Sequence, residues 1–325
     1  MRRLLAALFG LIVIGLGLGG AALYALSRFS GPGPLPATTV VVVPRGAPSD
    51  VADALLAAGV IANRTEFRLA VSATEAKGPL KSGEFTFPEH ASLFATLTIL
   101  RNGRPVQHKV TFPEGLTAYQ ISNILQKAPA LDGEVPKLAD GTMFPDTYIY
   151  VYGTPRSAIV ERGQAEMEKI VAKVWAARDP QLALSSPAQM VTLASLVERE
   201  TSRPEERAHV AAVFLNRLKA GMKLQSDPTV VYAATAGQSN SERGITRAQL
   251  DTPSPYNTYL TAGLPPGPIA SPGLASIAAV ARPMATDDLY FVADGEGGHV
   301  FARTLEEHNR NVAKYRAAEA AKPKP

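Results

Sequence analysis

The chain has 325 residues, 46% of them hydrophobic and 19% charged, with a formal net charge of +4. That is enough apolar material for a sizeable core spread over two or three folding units, and too weak a charge to point to nucleic acid. Cysteine is absent, which excludes disulfides, a lipidated cysteine anchor and a thiol nucleophile.

Met1-Arg2-Arg3 precedes an uncharged run from Leu4 to Leu26, closed by Arg28. At about 1.5 Å per residue the run is long enough to cross a hydrocarbon core of roughly 30 Å, whereas a cleaved signal peptide needs only about 7 to 15 apolar residues. Residues 1–3 therefore read as a cytoplasmic stub and 4–26 as an uncleaved transmembrane anchor. Residues 27–37, rich in Gly and Pro, read as a linker.

A small α+β module is expected over 38–104. A β-branched strand covers Thr38 to Val43, a helix Ser49 to Ala58 ends at Gly59, and a second helix Arg64 to Thr74 starts behind Asn63. Gly83 to Phe87 alternates as a strand, and His90 to Arg101 has helical spacing.

A mainly helical domain is expected over 105–316, with 317–325 as a flexible tail. Its strand Val106 to Phe112 leads to a helix Thr117 to Lys127. A loop from Gly141 enters a short aromatic strand, and Pro155 to Ala177 forms a long helix. Ser186 caps the next helix, with Pro187 at its first position and Gln189 completing a capping box. Glu205 to Lys219 follows, ended by Gly221. Residues 224–273 are polar and rich in Pro and Gly, a length that inside a compact domain marks function or disorder. A β-hairpin turns at Asp294-Gly295-Glu296-Gly297-Gly298, and Thr304 with Glu307 caps a closing helix from Leu305 to about Ala320.

One residue breaks the pattern. On the helix after Ser186, Met190, Leu193, Leu196 and Val197 share an apolar stripe, and Glu200 lies about 20° from Leu193 and about 40° from Leu196. Glu198 points nearly the opposite way. A carboxyl among aliphatics loses hydration, which raises its pKa toward the range of a general acid near neutral pH. A helix-terminal acid that turns outward after the last core turn satisfies the same spacing.

The polar stretch supplies Gln225, Ser226, Asp227, Thr229, Tyr232, Tyr256, Asn257, Thr258 and Tyr259. Hydrogen-bonding groups among aromatic faces suit a sugar polymer, although Ser226 and Asp227 also fit as helix caps and Asn257 as a turn residue. The five histidines are scattered, and His299 and His308 lack ligand spacing, so neither a metal nor a cofactor is expected.

The runs LASLVERET, LNRLKAGMKLQSDPTVVYA, SPYNTYLTAGLPPGPIASPG, LYFVADGEGGHVFA and EEHNRNVAKYR, with MFPDTY at Met143 to Tyr148, closely resemble the YceG-like, or MltG-type, endolytic murein transglycosylases. The resemblance covers roughly residues 38 to 316. Before MFPDTY the family usually has Glu-Gly where this chain has Asp140-Gly141.

The resemblance implies a LysM-like peptidoglycan-binding module over 38–104 and a catalytic domain over 105–316. It also implies a single-pass position in the inner membrane, with the bulk of the chain in the periplasm. It makes Glu200 the catalytic acid, leaves Glu198 as the second candidate, and assigns saccharide binding to Gln225, Ser226, Asp227, Thr229, Tyr232, Asn257, Thr258 and Tyr259. The partners it implies are peptidoglycan glycan strands, the membrane and cell-wall synthases. The implied reaction cleaves the β-1,4 bond between N-acetylmuramic acid and N-acetylglucosamine and leaves a 1,6-anhydro end. With Asp227 as a second carboxylate, a water-using muramidase competes with it. A membrane-anchored, non-catalytic peptidoglycan-binding scaffold is the alternative outside enzymology.

Overall fold

The computed structural model describes residues 2–239 and 245–321, a mixed helix and sheet fold. It divides into two compact units: Met1–His108 with Ala130–Asp132 and Ile149–Thr154, and Lys109–Pro129, Gly133–Tyr148 and Pro155–Pro325. The first unit is thus longer than the expected 38–104 and takes in two later segments.

The first unit opens with α1 (Arg2–Ser30), of which Leu8–Ser30 is long and apolar enough to cross a membrane. Then come β1 (Thr39–Val43), α2 (Pro48–Ala57), α3 (Arg64–Ala73), β2 (Gly83–Phe87) and α4 (Leu93–Asn102). β1 and β2 pair antiparallel from Thr39↔Phe87 to Val43↔Gly83. Their period of two sends Val41, Val43, Phe85 and Phe87 inward onto Val51, Leu55, Phe67, Leu97 and Leu100. Asn63 caps α3 by accepting from Thr65 N and Glu66 N.

Two expectations shift here. α4 begins after His90, which takes a left-handed φ of 55°, because Ser92 Oγ accepts from Ala95 N and so sets the helix start there. Residues 27–37 do not hang free. Residues 27–30 continue α1, Gly33 N donates to His90 O, and Leu35 is 2% exposed in the core of the unit. The same unit holds a groove of about 890 Å³ lined by Arg45, Arg68, Glu75 and Lys81 among others.

Across the rest of the chain run β3 (Gln107–Thr111), α5 (Ala118–Lys127), β4 (Leu131–Asp132), β5 (Thr147–Val151), β6 (Thr154–Pro155) and α6 (Arg156–Ala176). α7 (Pro187–Glu200), α8 (Arg207–Lys219), α9 (Asp227–Thr235), α10 (Arg247–Leu250) and α11 (Leu274–Ala281) follow, then β7 (Tyr290–Ala293), β8 (His299–Ala302) and α12 (Leu305–Ala321). β3 pairs with β5, β4 with β6, and β7 with β8. Residues 317–321 of the expected tail are helical, and the last four lie outside the described residues.

The core of the second unit is built around α7, which packs on α6, α8, α9 and α11. Met190, Leu193, Leu196 and Val197 are fully buried against Val210, Phe214, Ile277 and Val280. Each such side chain contributes about 1.5 to 3 kcal/mol, so the helix is held firmly along its length. Ser186 caps it through Gln189 N, but the capping box stays open because Gln189 Oε1 accepts from Ser185 N and Oγ instead. On α6, Gly163 lets Met143 in: a Cβ there would lie 2.5 Å from Met143 Cγ.

Candidate active site

Glu200 is the last residue of α7, and Thr201 leaves the helix in an extended conformation toward Pro204. Thr201 N still donates to Val197 O while Thr201 itself is extended, so the helix ends here and Glu200 stays on the terminal turn, in line with the buried stripe. Its Oε2 accepts from Ser226 Oγ at 2.9 Å. Burial pushes the carboxyl up to about 7, against the Ser226 hydrogen bond, with Asp227 adding repulsion and Arg217 countering it.

Ser226 stands at the N-cap position of α9 but makes no side-chain cap bond, because its hydroxyl donates to Glu200. Two polar loops are latched together around it. Gln225 N donates to Thr258 O at 3.1 Å, and Ser226 N to Thr258 Oγ1 at 3.0 Å. Thr229 Oγ1 donates to Ser226 O at 2.6 Å and lies 2.8 Å from Thr258 Oγ1. Asn257 Nδ2 donates to Leu250 O and Thr252 O, both at 2.9 Å, while its Oδ1 accepts from Tyr259 N at 3.0 Å.

Burial sorts the candidates. Ser226, Thr229, Asn257 and Thr258 are fully buried, so their side chains build the loops and do not form the surface a saccharide would touch. Gln225 and Asp227 are exposed, and half-buried Tyr259 donates its hydroxyl to Asp227 at 2.6 Å. Burial, followed by that hydrogen bond and the Asp227 charge, keeps the Tyr259 phenol protonated well above its ordinary range. Tyr232 packs at 4.7 Å on Tyr256 and donates to Asp140 Oδ2 at 2.6 Å. The other oxygen of Asp140 accepts from Ala118 N at 2.6 Å, at the start of α5, where an anion is favoured. Asp140 thus joins α5 to α9.

Glu198 occupies a different setting. Its side chain is 5% exposed, takes Arg207 Nη2 at 3.3 Å, and accepts from Gly273 N at 2.9 Å. Nearby Glu114 is pushed up by burial and by the Glu198 charge. These bonds tie the end of α7 to α8 and to the loop before α11.

Two further groups were not evident from spacing. Buried Arg217 donates Nε to Leu289 O at 2.6 Å and Nη1 to Leu224 O at 2.7 Å, lies 5.3 Å from the Tyr290 ring centre, and acts on Glu200 through its charge. A positive side chain on the inward face of α8 was the available signal. Glu206 accepts from Thr201 Oγ1 at 3.0 Å and from His299 Nδ1 at 2.7 Å and N at 2.9 Å, linking the residue after Glu200 to the hairpin.

The arrangement centres on the half-buried Glu200 carboxyl, pushed up to about 7, beside loops offering an exposed amide, a second carboxylate and a phenol. The sequence model of the YceG-like family matches residues 41–314, and the chain belongs to that family. An endolytic murein transglycosylase of Bacillus subtilis (strain 168) is 46% identical over 127 residues, 39% of this chain and 34% of that protein. Another, from Streptococcus pneumoniae (serotype 2, strain D39), is 33% identical over 213 residues, 65% of this chain and 38% of that protein. The chain therefore spans little more than a third of the length of these curated relatives. A crystal structure of a putative yceG-like protein from Listeria monocytogenes superposes with a TM-score of 0.53 at 28% identity, covering 84% of this chain and 98% of that one.

Proposed function

We propose that the protein is an endolytic murein transglycosylase in which Glu200 acts as acid and then as base. The observation that carries this reading is the half-buried Glu200 carboxyl, pushed up to about 7 and oriented by Ser226. Protonated, it gives its proton to the glycosidic oxygen between N-acetylmuramic acid and N-acetylglucosamine as positive charge develops at C1. The resulting carboxylate takes the proton from the muramoyl C6 hydroxyl, whose oxygen closes onto C1 and forms the 1,6-anhydro end. One carboxyl serves both steps because donation leaves it in the accepting form. Gln225, Asp227 and Tyr259 hold the sugar from the exposed side. Ser226, Thr229, Asn257 and Thr258 hold the loops.

In this reading α1 anchors the chain in the inner membrane with its bulk in the periplasm, and such an enzyme ends glycan strands made by nearby synthases. The β1-α2-α3-β2 order supports a LysM-like module, with its groove available to peptidoglycan.

A muramidase is the second reading, favoured by the Asp227 carboxylate close enough to raise the pKa of Glu200. Mass analysis of glycan strands digested by wild type and Glu200→Gln separates these readings. Anhydro ends from wild type alone are expected. Reducing ends carrying added water would overturn the transglycosylase in favour of the muramidase, and binding without cleavage would leave a scaffold.

A further inference from the structure

The helix that reads as a membrane span does not stop short of the first unit but packs on it. Phe29, in the last turn of α1, meets Phe94 of α4 edge-on with ring centres 5.6 Å apart. One residue earlier, Arg28 donates to both carboxylate oxygens of Glu66 on α3, at 3.2 and 3.3 Å. Beyond them Gly31 N closes on Ser27 O at 2.8 Å, and Leu35 is buried. The end of α1 is therefore fixed to α3 and α4.

Helix geometry then sets a height. The uncharged run Leu4–Leu26 ends three positions before Phe29. At about 1.5 Å per residue that run covers a hydrocarbon core of roughly 30 Å and ends among the headgroups. Phe29 falls at that boundary, and so does whatever packs on it. What packs on it is an apolar, cationic edge: Phe94 is 46% exposed, and Lys77 Nζ lies 5.5 Å from its ring centre. Leu69, 66% exposed, sits on α3 within one turn of Glu66. In water these side chains leave apolar surface hydrated. At a bilayer surface an aromatic ring takes the interfacial level, and a lysine lays its stem on apolar groups while its ammonium reaches phosphate.

We propose that the first unit rests on the bilayer through this edge, with Phe94 and Leu69 entering the headgroup boundary and Lys77 meeting the lipid phosphates. The proposal rests on the reading of α1 as a membrane span, and its test separates the two.

Because the chain has no cysteine, one introduced thiol gives one label. The full chain, carrying Gly17→Cys, Leu69→Cys, Phe94→Cys or Thr98→Cys in turn, is labelled with a fluorophore. It is reconstituted into phosphatidylglycerol and phosphatidylethanolamine vesicles. Thr98, exposed one turn along α4, keeps the test valid if replacing Phe94 loosens its contact with Phe29. Each label is challenged with lipids bearing a shallow or a deep nitroxide, and with iodide from the water. The expected result is quenching of position 17 by the deep probe, quenching of 69, 94 and 98 by the shallow probe with loss of iodide quenching, and return of iodide quenching at 98 when Lys77→Glu is added. If 17 responds to the deep probe while 69, 94 and 98 respond only to iodide, the docked edge is refuted and the anchor stands. If 17 responds only to iodide, the anchor reading fails and the proposal with it.

Discussion

Replacing Glu200 with glutamine removes a cost that the fold carries only when the carboxyl is charged. The group is pushed from its ordinary 4.5 to about 7, chiefly by burial. In the unfolded chain it releases its proton near 4.5, so between that pH and about 7 the folded state binds a proton that the unfolded state has lost. Stability then falls as pH rises through this window, and above it the full cost, about 3 kcal/mol, remains. Below the window both states are protonated and the cost vanishes. Glutamine keeps the shape and can still accept from Ser226 Oγ, but does not titrate. The single tryptophan, Trp175, packs against the core of the second unit, so its fluorescence in urea melts of the full chain in micelles reports that unit. The difference between Glu200→Gln and wild type should be constant below about pH 4 and should open in favour of the variant by about 3 kcal/mol toward pH 8. A difference that stays flat from pH 5 to 8, or opens the other way, would refute the account of a carboxyl raised by burial.

Cleavage by the wild type should decline about tenfold per pH unit above roughly pH 7, because the glycosidic oxygen needs the protonated Glu200; pH–rate profiles on glycan strands test this. Glu198→Gln should do the reverse of Glu200→Gln. Breaking its contact with Arg207 should cost about 1 to 3 kcal/mol in urea melts, while the remaining folded protein still cleaves. Tyr259→Phe deletes the donor to Asp227 and should lower kcat/KM about tenfold with little change in stability, read by paired kinetics and melts. Gly163→Ala forces a Cβ to 2.5 Å from Met143 Cγ and should destabilise by about 1 to 3 kcal/mol, with activity at low temperature unaffected.

What could be read ahead of the structure was periodic. The stripe Met190, Leu193, Leu196, Val197 and the alternation in β1 and β2 register burial directly in the order of residues, but Glu198, which the same angle arithmetic sent away from the stripe, is covered by Arg207 and only 5% exposed. Caps such as Asn63 and Thr304 were legible because their chemistry is local. Choices between two available partners were not. Gln189 had an N-cap amide within reach and bonded Ser185 instead, and Ser226 left its own helix unserved for a carboxyl 26 positions away. The polar loop residues resembled a ligand-binding set by composition, but composition cannot say which polar atoms are consumed inside the loop. The hydrogen bonds of Asn257 to Leu250 and Thr252 settle that for one of them. Arg217 shows the limit from the other side, since a buried cation looks like a surface one until its carbonyl partners, 7 and 72 positions away, are known.

Gln225 has a φ of 50°, a left-handed conformation that a side chain makes unfavourable by about 1 to 2 kcal/mol. That single kink sends two consecutive side chains to opposite sides of the loop: Ser226 inward to the acid, Gln225 outward to solvent. Glycine would hold the same turn without the penalty, and a chain tuned only to stay folded would use it. Glutamine holds it at that cost, and one dipeptide then presents an amide to solvent and a hydroxyl to Glu200.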